Sequence, residues 1–270
     1  VVWLFRPDQN FERINKSAVR MAIPEFPKEL FYEALTTLVK IDSDWVKHGD
    51  GRSLYIRPFV IGNEFAIQAV PSKNYKFMII CAPATLYYTK KLKVLVADKF
   101  SRAASGGVGY AKAAGNYAGQ FYPTRLANDE GFDQVIWTDA KEHSYLEEAG
   151  TMNIFFRIND TLITAPTTDT ILDGVTRKSL IQIAKDIGIN VEIKKLKVEE
   201  LKNAAKNGSL KEIFGAGTAA VVSQINAFQH KGEFFELDKQ DNSYAEKLKS
   251  NLVGIQTNQL EDHHNWRYKI

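Results

Sequence analysis

The spacing of apolar residues changes period along the chain, and each change marks an element. In "PKELFYEALTTLVKID", Leu30, Phe31, Ala34, Leu35, Leu38 and Val39 recur at helical spacing and predict one buried helix face. "SLYIRPFVIG", "EFAIQAV" and "KFMIICA" read as strands separated by Gly-Asn and Pro-Ser-Lys-Asn turns. "KVLVAD" and "QVIWTD" are further strands, with a helix expected from about Gly119 to Glu130. "NIFFRINDTLITA" reads as a hairpin turning at Asn159-Asp160. "GVTRKSLIQIAKDIG" has Thr176 as candidate N-cap, a buried face of Leu180, Ile181, Ile183, Ala184 and Ile187, and Gly188 as its stop. "EELKNAAKNG" predicts another helix, and "EIFGAGTAAVVSQI" a strand broken by a Gly-Ala-Gly-Thr turn. "FQHKGEFFEL" closes as a hairpin, and a helix follows it. Strands and helices mix without regular β-α alternation, which argues against a doubly wound sheet.

The opening "VVWLFRPDQNFERI" reads as a strand already under way, so residues upstream of this chain are expected. It lacks the charged start and small-residue cleavage site of a signal peptide. "PATLYYTKKLK" has turn and basic character and makes a linker at 85–92. That gives a small domain at 1–84 and a larger one at 93–270.

Composition narrows the classes. With 270 residues, 44% hydrophobic and 25% charged, the chain has the make-up of a soluble globular protein. The net charge is only +3, and the basic runs Lys90-Lys91-Leu92-Lys93 and Lys194-Lys195-Leu196-Lys197 lack the aromatic interleaving of a nucleic-acid platform. No apolar run reaches the roughly 18 to 20 residues of a membrane span. A single cysteine, Cys81, rules out an internal disulfide, and its apolar setting predicts a buried structural thiol. A cytoplasmic protein without nucleic-acid or membrane partners is expected.

The five histidines are scattered and suggest no metal cluster, so no metal is expected. No nucleophile elbow or P-loop appears, and "GGVGYAKAAG" has only a superficial likeness to a dinucleotide loop. Two places suit an anion. At "DGVTRKSL" a glycine turn feeds Val175 and Thr176 into a helix start. At "GAGTAA", Gly215 and Gly217 allow tight turning, so that Thr218 presents N–H and hydroxyl. Taken alone, each is more often an ordinary cap or turn. Together with Lys112, set among glycines and alanines in "GGVGYAKAAGNYAGQF", they point to a phosphorylated cofactor beside an amine. A lysine near other charges or partly desolvated is nucleophilic toward carbonyls, as pyridoxal phosphate requires. That cofactor also needs an acid at its ring nitrogen, which Glu147 or Glu148 of "SYLEEAGTMNIFF" offers unless both are merely solvated.

At these residues the chain resembles the branched-chain amino acid aminotransferases, class IV aminotransferases of fold type IV. "LFRPDQNFERI", "SLYIRPFVIGNE", "GGVGYAKAAGNY", "EEAGTMNIFF", "DGVTRKSL" and "EIFGAGTAA" carry the likeness in order. The resemblance implies a mixed α+β fold of two α/β domains, the larger one C-terminal and barrel-like. It implies transamination of leucine, isoleucine or valine with 2-oxoglutarate, pyridoxal 5'-phosphate as cofactor, and a homodimer or higher homo-oligomer. Lys112 resembles the lysine that anchors the cofactor and carries the proton. Tyr117 matches the tyrosine on its phenolic oxygen, and Glu148, rather than Glu147, matches the acid on its ring nitrogen. Arg13, Val175, Thr176 and Thr218 match the phosphate ligands. Tyr55, Arg57, Tyr87 and Thr151 resemble residues near the substrate, whose α-carboxylate the N–H groups of Thr218 and Ala219 would bind. "YIRP" with "EAGTMN" argues against a D-amino-acid transaminase or an aminodeoxychorismate lyase. Two departures stand out. The family's upstream F-E-G-x-K-A segment is not in this chain, and Ala220 and Ser223 replace the redox cysteines of mammalian relatives.

Overall fold

The structure is a computed structural model that describes residues 1–46, 49, 51–85, 90–219 and 221–270. Along the chain come β1 (Trp3–Phe5), α1 (Pro7–Arg20), α2 (Lys28–Ile41), a 3-10 turn (Ser43–Trp45), β2 (Ser53–Gly62) and β3 (Tyr75–Ala84). Then follow β4 (Leu92–Val96), α3 (Ala114–Ala118), α4 (Phe121–Asp129), β5 (Gln134–Thr138), β6 (Tyr145–Ala149), β7 (Met152–Ile158) and β8 (Thr161–Thr164). The remainder is α5 (Val175–Asp186), β9 (Asn190–Ile193), β10 (Leu196–Lys197), α6 (Val198–Lys206), β11 (Leu210–Gly217), β12 (Val221–His230), β13 (Glu233–Glu236), α7 (Tyr244–Gln256) and β14 (Arg267–Lys269). The chain divides into two compact units, Val1–Tyr87 with Ile255–Ile270, and Tyr88–Gly254.

In the first unit the strand expected at the chain start is only three residues long. Pro7 begins α1 immediately, because its fixed φ and missing N–H suit a first helical turn. α2 buries Phe31, Leu35 and Val39, while Leu30 is exposed, so the true apolar stripe is narrower than the predicted face. These residues form a core with Leu4, against which Phe26 and Phe77 stack at 3.8 Å. β1 pairs antiparallel with β14, a strand the sequence pattern did not reveal. β2 and β3 pair with each other from Ser53↔Ala84 to Gly62↔Tyr75. That pairing leaves "EFAIQAV" as the connection between them, not a strand, and Phe65 and Ile67 are fully exposed. Cys81 lies half-buried on β3 rather than in a core, though burial still raises its thiol pKa.

The second unit is built on one ten-stranded sheet. Its path β6-β5-β4-β12-β11-β7 returns to its start because β6 also pairs with β7, through Glu148↔Asn153 and Ala149↔Met152. Six strands therefore close into a ring, the barrel-like frame. β10 adds to β6, β8 and β9 extend from β7, and β13 pairs with β12. The β4–β5, β4–β12 and β8–β9 pairs are parallel and the other pairs of this sheet antiparallel. β5, β6 and β7 are buried almost throughout, as strands covered on both faces must be. Leu92, Val94, Ile136, Ile154, Phe156 and Phe228 are central to the core. Among the described residues no helix is long and apolar enough to cross a membrane.

Candidate active site

Lys112 lies in the long loop from β4 to α3, exposed between the buried Ala111 and Ala113. Its Nζ is 3.0 Å from the Tyr117 hydroxyl, one turn into α3. Asn116 fixes the loop from within, donating from Nδ2 to the carbonyls of Val108 and Ala111, each at 2.8 Å. The small residues have a cause distinct from cofactor approach. A Cβ on Gly109 would lie 2.6 Å from Ala103 Cβ and 2.7 Å from Thr170 Cα, so only glycine lets the loop sit against the segment before α5. Tyr110 N–H donates to the Asp169 carbonyl at 3.0 Å, and Ser105 Oγ to the Asp169 carboxylate at 2.9 Å. The lysine loop is thereby stapled to residues 169–170.

Glu148 stands on β6 beside the hairpin that closes the ring, and is only 5% exposed. Arg102 Nη2 approaches its Oε1 at 2.8 Å, while Asn153 Nδ2 and the Leu172 N–H reach Oε2 at 3.2 Å each. Burial outweighs these partners and pushes its pKa up to about 7. Arg102, the Leu172 N–H and, more weakly, Lys112 pull it down, and Glu147 pushes it further up. The charge of Lys112 is thus felt at Glu148.

Glu147 is not the solvated neighbour the sequence suggested. It is 9% exposed, because β6 is covered on both faces, and burial raises its pKa as well. Thr170 Oγ1 donates to its Oε1 at 2.6 Å, and its Oε2 is buried without a hydrogen-bond partner.

The helix predicted at "GVTRKSL" forms, but its cap is Gly174 and Thr176 lies within the first turn. Gly174 has no side chain to cap with, so the first N–H groups of α5, those of Val175 and Thr176 included, have no partner within the helix. Asn153 Nδ2 bonds the Leu172 carbonyl at 2.8 Å as well as Glu148, which ties this helix start to the carboxylate. Gly215 and Gly217 lie in β11 rather than in a turn. A Cβ on Gly215 would come within 2.6 Å of Met152 Sδ across the β7–β11 pair. Thr218 and Ala219 follow in the exposed β11–β12 turn, and Thr151 in the exposed β6–β7 turn. Because Ala216 pairs with Asn153, these two turns are neighbours on the rim that also holds Glu148.

The second unit contains Lys112, Tyr117, Glu148, Thr151, Val175, Thr176, Thr218 and Ala219. Arg13, Tyr55 and Arg57 belong to the first unit. Arg13 bonds Asn10 on α1 at 2.8 Å, and Arg57 Nη2 lies 3.3 Å from the Tyr55 hydroxyl on β2. Tyr87 and Ala220 lie outside the described residues. Sequence reasoning missed Arg102, Asn116, Asn153 and Thr170. Arg102 and Asn153 sit inside the quoted motifs or just before them, but nothing local says which buried group each serves.

Comparison with known proteins gives a consistent answer. The family model described as amino-transferase class IV matches residues 3–228. A Staphylococcus epidermidis protein named probable branched-chain-amino-acid aminotransferase is 44% identical over all of this chain and 76% of its own length. Branched-chain-amino-acid transaminase 1 of Bacillus subtilis is 42% identical, with 77% of its length covered. Among solved structures, the branched-chain aminotransferase of Thermoproteus uzoniensis with norvaline aligns with a TM-score of 0.80 at 25% identity, over 98% of this chain and 84% of that one. The Escherichia coli branched-chain amino acid aminotransferase shares the fold with a TM-score of 0.80 at 23% identity, over 99% and 84%.

Proposed function

The chain belongs to the class IV aminotransferases, and from that membership we propose that it moves the amino group of leucine, isoleucine or valine to 2-oxoglutarate. The observation that carries the reading is a lysine amine 3.0 Å from a phenol, in one unit with a buried carboxylate. Pyridoxal 5'-phosphate is the family's cofactor.

The residues fit that group. Glu148 is a buried anion suited to a protonated ring nitrogen, and the uncapped start of α5 is suited to a phosphate. Bound there, pyridoxal phosphate supplies a carbon open to attack by amines and a ring that draws electrons from the substrate Cα. Lys112 is the covalent anchor, and its Nζ takes the proton from the substrate Cα. Tyr117 holds that amine within hydrogen-bonding reach. Glu148 keeps a negative charge where the ring nitrogen needs one. The N–H groups of Val175 and Thr176, with Thr218, bind the phosphate. Thr218 and Ala219 bind the substrate α-carboxylate and Thr151 borders its side chain, while the roles of Arg13, Tyr55, Arg57 and Tyr87 stay as the family resemblance implies them. A cytoplasmic homodimer or larger homo-oligomer completes the proposal, checked by the mass in solution.

The test is a half-reaction. L-Leucine added to the loaded enzyme changes its visible absorbance, D-alanine does not, and 2-oxoglutarate reverses the change. Borohydride fixes the cofactor on Lys112. Lys112→Ala loses this adduct and slows transfer by at least about 10²–10⁴-fold. An unchanged spectrum with L-leucine rejects the reading.

A further inference from the structure

Arg102 is in none of the roles assigned so far, yet its guanidinium reaches three parts of the site at once. Its side chain is 4% exposed. Nη2 lies 2.8 Å from Glu148 Oε1 on β6 and 2.9 Å from the carbonyl of Gly109, three residues before Lys112. The same nitrogen also donates to the Thr170 carbonyl, just upstream of α5. Thr170 in turn donates its hydroxyl to Glu147, so both buried carboxylates of β6 are reached through one short chain of contacts. We propose that Arg102 is a positioning residue that holds Glu148 as an oriented anion and clamps the Lys112 loop to the same point. This rests on the function proposed above, whose ring-nitrogen partner is Glu148.

The geometry carries the assignment. A purely structural arginine satisfies uncharged acceptors, as Arg177 does when it bonds Thr164 Oγ1 at 3.3 Å and the Ala165 carbonyl at 2.7 Å. Arg102 shares one nitrogen between two backbone carbonyls and the one carboxylate the proposed chemistry needs, and its buried Nε has no hydrogen-bond partner among the described residues. The charged groups acting on Glu148 are Arg102 and Lys112, which favour its anion, and Glu147, which opposes it. Glu147 itself feels Arg102 and Lys195 as favourable charges and Asp139 as an unfavourable one. Removing Arg102 therefore leaves Glu148 beside a second carboxylate, with Lys112 as the remaining cation among those groups.

The test uses the full chain, loaded with pyridoxal phosphate and then stripped of it. Arg102→Gln and Arg102→Lys are compared with the native protein. Glu148 protonation in the stripped protein is followed by its carboxyl infrared band, assigned by its loss in Glu148→Gln. Removing an adjacent cation raises a carboxyl pKa by about 1–3 units, so in Arg102→Gln Glu148 takes its proton at correspondingly higher pH. In the loaded Arg102→Gln enzyme, kcat gains a loss at the low-pH side that the native enzyme lacks. Arg102→Lys keeps the charge and restores most of the protonation behaviour, but not the full rate, because an ammonium lacks the planar fork. Unchanged Glu148 protonation in a folded Arg102→Gln overturns the proposal. If Arg102→Gln does not fold, Arg102→Lys decides by its rate: a native kcat in the folded Lys variant overturns the proposal, and failure of both to fold makes Arg102 structural and also overturns it. The native enzyme's response to L-leucine, measured alongside, judges the proposed function separately.

Discussion

Glu148 shows what one residue costs and what it supplies. Its pKa is about 7 when folded against the usual 4.5, so the folded state holds its proton more tightly than the unfolded chain. Below pH 4.5 the group is neutral in both states and costs nothing. Between pH 4.5 and 7 the unfolded chain ionises first, and stability is lost as pH rises, by on the order of 3 kcal/mol once pH exceeds 7. Urea unfolding of the cofactor-free protein across this range measures that fall, and Glu148→Gln, which cannot ionise, lacks this contribution to it. The loaded Glu148→Gln enzyme binds cofactor but turns over slowly, since it offers no negative charge to the ring nitrogen. The proposed choice of Glu148 over Glu147 rests on motif register. The burial of both was not legible, because adjacent strand residues point to opposite faces and nothing local says that both faces are covered.

Elements were legible where their apolar period was strong. α5 begins and ends near its predicted limits, with Gly188 in the left-handed region at φ +76° as its stop. Its predicted face fails only at Ile187, which is 40% exposed just past the last turn. α1 was missed because "PDQNFERINKSAVR" has few apolar positions and follows an apolar run that reads as strand. The C-terminal helix was expected, but its anchor was not. Glu212 on β11 accepts Ser243 Oγ at 2.5 Å, the Tyr244 N–H at 2.8 Å and Arg157 Nη1 at 3.1 Å. Arg157 also lies over the Tyr244 ring at 3.8 Å. One buried carboxylate therefore pins the start of α7 to the sheet. Glu212→Ala leaves Arg157 without its buried partner and lowers unfolding stability by about 3–5 kcal/mol, measurable by denaturant midpoint. Because this cluster uses none of the proposed site residues, the affinity of the folded variant for cofactor stays close to native.

For the whole molecule, strand identity was mostly readable and strand pairing was not. "QVIWTD", "NIFFRI" and "EIFGAG" announce themselves as strands, yet their neighbours are set by contacts remote in sequence. The closed ring predicts a gradient of protection. Amides of β11, flanked by two strands, and of β12, which pairs with three, exchange slowest, whereas β2 and β3, which among the described residues pair only with each other, exchange much faster. Hydrogen-exchange mass spectrometry resolves the two sets, and equal protection would contradict the pairing described.

Of the six seams that make the ring, one is the most local and one the most remote. β6 meets β7 across a tight turn, but β4 meets β12 from Leu92↔Ile225 to Leu95↔Gln229, the longest separation in that sheet. Contacts so far apart in the chain form late. A chain still on the ribosome and halted after α5 already carries Lys112, Glu148 and the α5 N-terminus, yet it holds them on an open sheet. Translation through β12 is what turns that sheet into a ring, so the proposed site residues are made well before the frame that aligns them.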